Sequence, residues 1–477
     1  MEKITALIFF LCIEFVAFSQ TAITLIIKDA DTKEPLPYCN VAIKGTDKGG
    51  ITNNDGKIKL TVNSENDIIE ISYLGYETKL FKINELNNTN TIFLKAKSYV
   101  LNEVDIVANF DYYEVIDKCR KKMLSYNKKS FSKTYYSVET STNNKPLEFL
   151  ECFYNSKFQG VKLDSLFFKN GRTFLQHQDN FLLTYNTSLA ITMFDLLYST
   201  KDYPTSILNY NKVSMKRLFE INVNNEDNNY FLIEFHPKKD KNNYFYGQLW
   251  IEKNSFNLIK VDLSIKNTTI HPFVAFGFDE MSNVSLNFSE RFKIQDNNIL
   301  PEYIKFDYSF DYLSKSAAAI NKINPKVVQY NVESECFMYF YDYGNNFILP
   351  FFCFPEMDFY GRGDYQKLQA IPFNKVFWEN NNQVLLSDNQ IKKLKIITNS
   401  VEDYEYNSEN DYGFSFLSYL TKYFDLNENQ IETKKDKTFL EYSYVFWNTL
   451  NPQLSFQNIG YLATVNVFKK ICFHPIW

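Results

Sequence analysis

The sequence predicts a mainly β protein, with a small seven-stranded β-sandwich at its N-terminus and a larger antiparallel meander, or half-barrel, that carries a few packing helices. Two observations predict this class. Short runs rich in Ile, Val, Leu and Tyr recur at roughly ten-residue spacing before Ala108. From Thr134 onward, apolar and polar residues alternate over long segments, as they do in strands with one wet face.

The length and composition allow several domains. The chain has 477 residues, of which 45% are hydrophobic, so it can build sizeable cores. We expect four regions, namely a signal peptide at 1–19, the sandwich at 20–107, an antiparallel β-rich domain at 108–355 with a helix at 110–127, and a mixed α/β region at 356–477.

The first twenty residues have the pattern of a cleaved secretory signal. Lys3 precedes the apolar run Ile4–Phe10, and Ala17–Ser19 is an acceptable cleavage site before Gln20. The alternatives are lipidation at Cys12, which lacks the small residue needed before it, and an uncleaved anchor. No later run reaches the roughly eighteen apolar residues of a membrane-spanning helix. We therefore expect an exported chain whose mature part has no transmembrane helix.

The sandwich is predicted from its strands and from the turns between them. Lys57–Val62 alternates apolar with polar residues, and turn signals stand at Glu34–Pro37, Asp47–Gly50 and Asn54–Gly56. The oxygens of this last turn and of Asn53 before it could face a cation, but a calcium loop needs a longer carboxylate pattern, so we predict plain turn chemistry. The expected strands are 23–28, 39–44, 57–62, 67–73, 78–83, 90–95 and 100–107.

The order of these segments resembles the carboxypeptidase regulatory-like domain, a transthyretin-like sandwich common at the N-termini of exported Gram-negative proteins. The segments that carry the resemblance are Ile23–Tyr38, Val41–Thr46, Gly50–Gly56, Ile71–Tyr76 and Leu101–Val107. It implies a seven-stranded sandwich and a location in the periplasm or at the outer membrane or cell surface. It implies no biochemical activity.

A basic amphipathic helix is predicted after the boundary near Ala108, with Asn109 as its cap. Its apolar residues recur at helical spacing and form one stripe, made of Tyr112, Ile116, Cys119, Met123 and Tyr126. The opposite face carries Lys118, Arg120, Lys121 and Lys122. We expect the stripe to dock on a sheet; the alternative is a helix that lies on an anionic membrane surface.

The body is predicted as a meander of consecutive strands with short polar loops. We expect a hairpin of Tyr246–Glu252 with Phe256–Asp262, a strand at Lys212–Val223 and a helix at Ser188–Tyr198. The hairpin loosely resembles those of lipoprotein-carrier half-barrels, in which a curved sheet wraps an apolar groove. The other expected strands are 135–140, 148–158, 229–236, 244–252, 257–266, 283–294, 302–310 and 327–341.

The C-terminal region changes character. Pro350–Pro355 is expected to be a crossing segment, and Phe416–Phe424 has helical spacing. Ser387 and Gln390 form a capping-box pattern ahead of an apolar helical stripe, so we predict a helix that begins there.

Catalytic chemistry finds little support in the residues. A zinc peptidase needs a close pair of metal ligands, and none of the four histidines has Glu three residues on or a second histidine nearby. They are His177, His236, His271 and His474. Nucleophile elbows and glycine-rich phosphate loops are lacking too. A glycosidase carboxylate pair leaves little local trace, so Glu148, Glu151 and Glu252 stay open. We predict no peptidase activity and no catalytic, cofactor-binding or metal-binding residue.

The mature cysteines show no CxxC pair. They are Cys39, Cys119, Cys152, Cys336, Cys353 and Cys472. Export permits disulfides, but Cys39 and Cys119 lie on apolar faces where buried free thiols are equally expected.

The preferred function is a non-catalytic, exported cell-envelope protein that binds or scaffolds. Net charge is −5 without a basic block, which argues against nucleic acid and leaves an envelope protein, a lipid or a glycan as partner, with peripheral outer-membrane association as one option. One alternative is a carbohydrate- or peptide-binding surface protein, for which Trp250, Trp378 and Trp447 are the residues to inspect. The other is an outer-membrane barrel-associated protein ending at Trp477, although Pro475 and Lys469 interrupt the alternation of a final strand.

Overall fold

The computed structural model describes two compact units. The first combines the described residues of 1–100 with those of 374–392, and the second combines those of 101–373 with those of 393–477. The residues that the structure describes are 21–46, 48–62, 64, 66–86, 90–97, 111–176, 181–226, 229–239, 242–275, 279–295, 298–315, 327–344, 364, 384–400 and 461–465.

The first unit contains a seven-stranded sandwich, as predicted. One sheet has the order β4-β1-β7 and the other the order β3-β2-β5-β6. The strands are β1 (Thr21–Asp29), β2 (Asn40–Ile43), β3 (Gly49–Ile51), β4 (Lys57–Val62), β5 (Ile68–Ser72), β6 (Lys79–Lys82) and β7 (Thr91–Leu94). The alternating residues Ile58, Leu60 and Val62 of β4 are buried, in keeping with the period-two pattern.

One observed strand was not among the expected ones, and one expected strand is not tested. β3 was not predicted, because three residues beginning Gly49-Gly50 carry no apolar run. Gly49 allows the close approach, since a Cβ there would lie 2.7 Å from the Val41 carbonyl oxygen. The expected strand 100–107 lies outside the described residues.

A buried aspartate fixes the turn that follows β1. Tyr76 donates a hydrogen bond to Asp29 Oδ2 at 2.6 Å, and the backbone amides of Asp31 and Thr32 donate to Asp29 Oδ1 at 2.7 and 2.8 Å. These hydrogen bonds, that of Tyr76 foremost, lower the pKa of Asp29 to about 2. The charged carboxylate therefore holds this turn to the start of the segment that leads into β6.

The second unit is built on a ten-stranded antiparallel sheet of order β10-β9-β8-β18-β17-β16-β15-β14-β13-β12. Its first meander is β8 (Lys129–Thr142), β9 (Lys145–Gln159) and β10 (Lys162–Leu175). Its second is β12 (Phe219–Glu226), β13 (Tyr230–Pro237), β14 (Tyr246–Glu252), β15 (Leu258–Thr268), β16 (Glu280–Gln295), β17 (Asn298–Ser314) and β18 (Val328–Tyr341). A separate parallel pair joins β11 (Phe181–Tyr185) to β19 (Tyr461–Val465). The predicted mainly β class and antiparallel meander are confirmed.

The predicted strand at Lys212–Val223 was wrong in its first half, which is a helix. Asn211 caps this helix, because its side chain accepts the backbone N–H of Ser214 at 3.0 Å. Met215 is fully buried, so one apolar residue per turn is enough to dock the segment. β10 was missed because register shifts at Leu163/Ser165 and Phe168/Asn170 interrupt its alternation.

Four α-helices accompany the strands in the part of the chain that the structure describes. They are α1 (Tyr112–Ser125), α2 (Thr187–Met193), α3 (Lys212–Leu218) and α4 (Asp388–Ser400). The capping box predicted for α4 is present: Ser387 N–H donates to Gln390 Oε1 at 2.8 Å, and Gln390 N–H donates to Ser387 Oγ at 3.1 Å. Within the described part of the chain, every helix is too short or too polar to cross a membrane.

Helix α1 docks through both of its faces. Ile116, Cys119 and Met123 of the predicted stripe are buried. The basic residues also have partners: Arg120 Nε donates to the Leu208 carbonyl at 3.0 Å, and Lys122 Nζ donates to the Ser255 carbonyl at 2.6 Å. Lys118 lies over the Phe256 ring, whereas Lys121 pairs with Asp117 of the same helix. These contacts favour the docked helix over the membrane-surface alternative.

The centre of the second unit is a stack of three rings. Phe194, which follows α2, stacks on Phe288 of β16 at 4.2 Å, and Phe288 stacks on Phe306 of β17 at 4.2 Å. Tyr203 meets the edge of Phe288 at 5.6 Å. The segment after α2 is therefore sealed onto one face of the sheet by aromatic contacts.

We expect Phe288→Ala to lower the free energy of unfolding by about 3–5 kcal/mol, because it opens a cavity between two stacked rings. Urea unfolding of the full chain measures the change. The matched control is Val213→Ala, whose side chain is 79% exposed and which should stay within about 0.5 kcal/mol. Equal effects of the two substitutions would contradict the central stack.

Candidate binding site

A cleft of about 320 Å³ opens at one end of the ten-stranded sheet. This volume is at the lower end of the range of small-molecule sites. It is lined by Tyr126, Lys128, Lys129, Ser130, Phe131, Gly160, Gln295, Asn298, Ile299, Leu300, Tyr343 and Gly344.

The cleft arises from the ends of five neighbouring strands. Gln295 ends β16, Asn298 begins β17, and Lys129 begins β8. Gly160 lies in the turn after β9, and Tyr343 follows β18. Because neighbouring strands are antiparallel, these alternating ends meet at the same end of the sheet. Residues far apart in the sequence thus form one concave surface.

One wall of the cleft requires a glycine. Gly160 has φ +60°, and a Cβ there would lie 2.2 Å from the Tyr126 carbonyl oxygen at the end of α1. Gly160 N–H donates to the Lys128 carbonyl at 2.9 Å, and Gln159 Nε2 donates to the Asn127 carbonyl at 2.9 Å. These bonds join the turn after β9 to the connection between α1 and β8.

The rim of the cleft is basic. Lys128 and Lys129 are exposed, and neither side chain makes an ion pair with the residues that the structure describes. Lys293 stands close by, with its Nζ 4.7 Å from the centroid of the Tyr343 ring. Burial lowers the pKa of Lys293, while Glu302 opposes this shift. Glu302 itself is paired with Arg291 at 2.9 Å.

The floor of the cleft is apolar. Ile299 belongs to the main core and is 2% exposed, and Leu300 is 8% exposed. Tyr343 packs against Phe158, with ring centroids 6.1 Å apart. Among these groups, the buried Oγ of Ser130 has no hydrogen-bond partner within the described part of the chain. The cleft therefore combines positively charged side chains, a hydroxyl group without a hydrogen-bond partner and an apolar surface.

A buried polar row crosses four strands on the face covered by α2. It consists of Glu148, Thr140, Ser334 and Tyr308, which are directly opposite one another on β9, β8, β18 and β17. Thr140 Oγ1 donates to Glu148 Oε2 at 3.2 Å and lies 3.0 Å from Ser334 Oγ. Tyr308 Oη lies 2.9 Å from Oγ1 of Thr187 in α2. Burial raises the pKa of Glu148 to about 8.

The three glutamates that the sequence left as candidates for a glycosidase pair do not face one another. Glu148 and Glu151 lie three residues apart on one strand and so point to opposite faces of the sheet. Glu151 accepts a hydrogen bond from Tyr135 at 2.6 Å and pairs with Arg172 at 2.5 Å. Glu252 lies at the end of β14 and accepts from Asn257 Nδ2 at 3.2 Å. Each carboxylate thus has a local structural role.

Each described histidine and tryptophan of the sequence analysis contacts a different side chain. His236 stacks on Tyr246 at 5.9 Å, and His271 stacks on Phe273 at 6.1 Å. Lys260 Nζ lies over the Trp250 ring at 4.7 Å. Over the described ranges, no group of three or more His, Cys, Asp or Glu side chains could hold a metal ion. His177, His474, Trp378 and Trp447 lie outside the described residues.

The Asn53 turn and the cysteines have structural roles. Asn53 Oδ1 accepts the backbone N–H groups of Asp55 at 3.0 Å and Lys57 at 2.9 Å, which is the predicted turn chemistry. Four of the described cysteines are buried as thiols, and burial raises the pKa of Cys119 to about 12. They are Cys39, Cys119, Cys152 and Cys336. Cys353 and Cys472 lie outside the described residues.

We expect the stability of the second unit to depend on pH through Glu148. Its pKa is about 8 in the folded chain and about 4.3 in an unfolded one, so the folded state holds the proton more tightly. The contribution to stability is complete below about pH 4.3 and is lost as the pH rises to about 8, at up to about 1.4 kcal/mol per pH unit.

Glu148→Gln should remove this dependence, since the amide keeps the shape of the side chain and can still accept a hydrogen bond from Thr140. Urea unfolding at several pH values measures the free energy of unfolding of the variant relative to the parent chain. This relative stability of the variant should increase with pH up to about pH 8. Glu333→Gln, at an exposed position of β18, is the control. A pH-independent difference for Glu148→Gln would disprove the buried neutral carboxyl group.

Comparison with known proteins identifies the N-terminal module. Residues 26–106 match the family model of the CarboxypepD_reg-like domain. A stretch of 88 residues, 18% of this chain, is 35% identical to the TonB-dependent receptor SusC of Bacteroides thetaiotaomicron and covers 8% of that receptor. The chain therefore spans less than a tenth of the length of the curated relative that it matches.

Solved structures similar to the chain share little sequence with it. A DUF1329 family protein from Desulfovibrio piger is 10% identical, with a TM-score of 0.22, over 52% of this chain and 100% of that one. A LolA superfamily protein from Nitrosomonas europaea is 8% identical, with a TM-score of 0.18, over 53% of this chain and 98% of that one. The MucA/MucB complex of Pseudomonas aeruginosa matches at 8% identity and a TM-score of 0.16, over 48% of this chain and 94% of that one.

These TM-scores are too low to support an argument about function. The family match rests on sequence and agrees with the segments that predicted the resemblance. The predicted resemblance is therefore confirmed: residues 26–106 match the CarboxypepD_reg-like domain.

Proposed function

We propose that the chain is an exported, non-catalytic envelope protein whose β-rich second unit binds or scaffolds a partner, with the N-terminal sandwich as an accessory module. The observation that carries the proposal is the cleft at the end of the sheet. It combines a basic rim at Lys128 and Lys129 with an apolar floor at Ile299 and Leu300. Recognition sites in proteins commonly pair an apolar surface with a few polar groups in this way.

The absence of catalysis in the proposal is supported by the separate hydrogen-bond and packing partners of the titratable side chains. Glu148 belongs to the polar row, and Glu151 is held by Arg172 on the opposite face. His236 and His271 stack on separate aromatic rings. General acid–base chemistry needs such groups to converge on one substrate position, and these serve packing and hydrogen bonding instead.

The envelope location is supported by two features at the N-terminus. Lys3 with the apolar run Ile4–Phe10 has the pattern of a secretory signal. The sandwich that follows resembles a segment of a TonB-dependent receptor. Only the N-terminal module of the proposal rests on this comparison, because the shared segment is a small part of the receptor.

The carbohydrate alternative has weaker support. A sugar platform needs an open aromatic face, but Lys260 covers the Trp250 ring at 4.7 Å. The other two tryptophans of that hypothesis lie outside the described residues. The cleft is better matched to a charged ligand or partner than to a neutral sugar ring.

We expect the chain to leave the cytoplasm and to lose its first nineteen residues, in line with the signal pattern at 1–19. Fractionation of producing cells, with mass spectrometry of the N-terminus, measures this. The processed chain should start at Gln20 and appear in the periplasmic or membrane fraction. Ile8→Asp, which interrupts the apolar run, is the control and should keep the chain in the cytoplasm. Cytoplasmic accumulation of the unaltered chain with Met1 in place would contradict the proposal.

A further inference from the structure

We propose that the cleft binds a small organic anion with an apolar body, such as an acyl carboxylate or an alkyl phosphate. The inference deepens the proposed binding function and rests on it. It names the ligand class by the chemistry of the cleft lining: cations at the rim, a free hydroxyl group beside them, and an apolar floor.

The anionic group is specified by the rim. Lys128 and Lys129 offer two ammonium groups, and no acidic side chain is among the described residues that line the cleft. The carboxylate of Glu302, which influences Lys293, is already paired with Arg291. The chain has a net charge of −5, whereas this rim is positively charged. An anion placed there would gain charge-assisted hydrogen bonds that the free protein leaves unmade.

Ser130 supplies a further donor. Its Oγ is buried at the cleft and lacks a hydrogen-bond partner within the described residues. A buried hydroxyl group without a partner is costly, and a change of the Ser130 rotamer toward the cleft would let it donate to an oxygen of a carboxylate or phosphate. Ser130 follows Lys129 on β8, so their side chains leave the strand on opposite faces, and both residues line the cleft where it wraps the end of the sheet.

The apolar body is specified by the floor. Phe131, Ile299, Leu300 and Tyr343 line the cleft, and Ile299 continues into the main core. Lys293 lies over the Tyr343 ring and adds positive charge near this surface without entering the lining. A volume of about 320 Å³ accommodates a short chain or a single ring system.

The space under α2 is a weaker candidate for the same ligand. Phe194, Tyr203 and Phe288 fill it with stacked and edge contacts at 4.2–5.6 Å. A ligand there would have to displace aromatic side chains of the chain itself. The cleft is already open and needs no such displacement.

The test is a titration of the purified full chain with hexanoate, octanoate and decanoate below their micelle concentrations, followed by calorimetry. Binding should tighten about three- to fourfold for each added methylene until the floor is covered. Decanol, which has the same chain without the charge, should bind at least about tenfold more weakly than decanoate. Octyl phosphate should bind in the same way as octanoate.

The Lys128→Gln/Lys129→Gln double variant should weaken decanoate binding about tenfold and reduce its salt dependence. Both side chains are exposed, so the variant should unfold at the same urea concentration as the parent chain. The matched control is Lys239→Gln/Lys266→Gln, which removes the same charge at exposed positions outside the cleft and should leave the affinity unchanged.

Flotation with phosphatidylglycerol vesicles identifies the source of the anion. Binding of free decanoate without flotation supports a soluble ligand, and flotation that depends on Lys128 and Lys129 supports a lipid headgroup; both outcomes agree with the proposed chemistry. Equal affinity for decanol and decanoate, equal effects of the two double variants, or no binding of either anion would overturn it. An envelope location with no anion binding would reject the ligand class alone, whereas a cytoplasmic location would reject the proposed function.

Discussion

The second unit depends on the pairing of β18 with β8. Ten residue pairs, from Val332–Thr142 to Tyr341–Lys133, join the meander β8–β10 to the meander β12–β18. The partners are 190 to 208 positions apart, so no local signal brings them together, and the loop-closure entropy must be recovered from the contacts made. The polar row crosses this junction through Thr140 and Ser334. A slip of one residue would turn these groups to the opposite face, and the row therefore helps to specify the register.

The same junction shapes the site. β8 begins and β18 ends at the cleft, so Lys129 and Tyr343 are neighbours only because the two strands pair. On the face covered by α2, stacked rings occupy the space between helix and sheet, as the contact of Phe194 with Phe288 shows. The proposed binding therefore falls at the end of the sheet, where the strand ends leave an open concave surface. The glycine at position 160 keeps that surface close to the end of α1.

Local patterns carried most of the prediction. Strand alternation in Lys57–Val62, the apolar stripe of α1 and the capping box at Ser387 are properties of neighbouring residues, and each matches the structure. The wrong predictions also have local causes. The cap at Asn211 begins the helix α3 where a strand was predicted, and register shifts in β10 interrupt the alternation that would have predicted this strand. The cleft was not predicted at all, because it is assembled from strand ends between Tyr126 and Gly344 that share no sequence motif. The burial that raises the pKa of Glu148 is equally invisible before the strands are paired.

Native-state hydrogen exchange of the second unit, read for individual peptides, tests the central junction most directly. We predict that the amides of β8 and β18 exchange only through global unfolding, with the same opening free energy as those of β16 and β17, because all four strands lie inside one sheet. Exchange of β8, β9 and β10 together at a clearly lower free energy, while β12 to β18 stay protected, would show two separate meanders. That result would contradict both the continuous sheet and the cleft that depends on it.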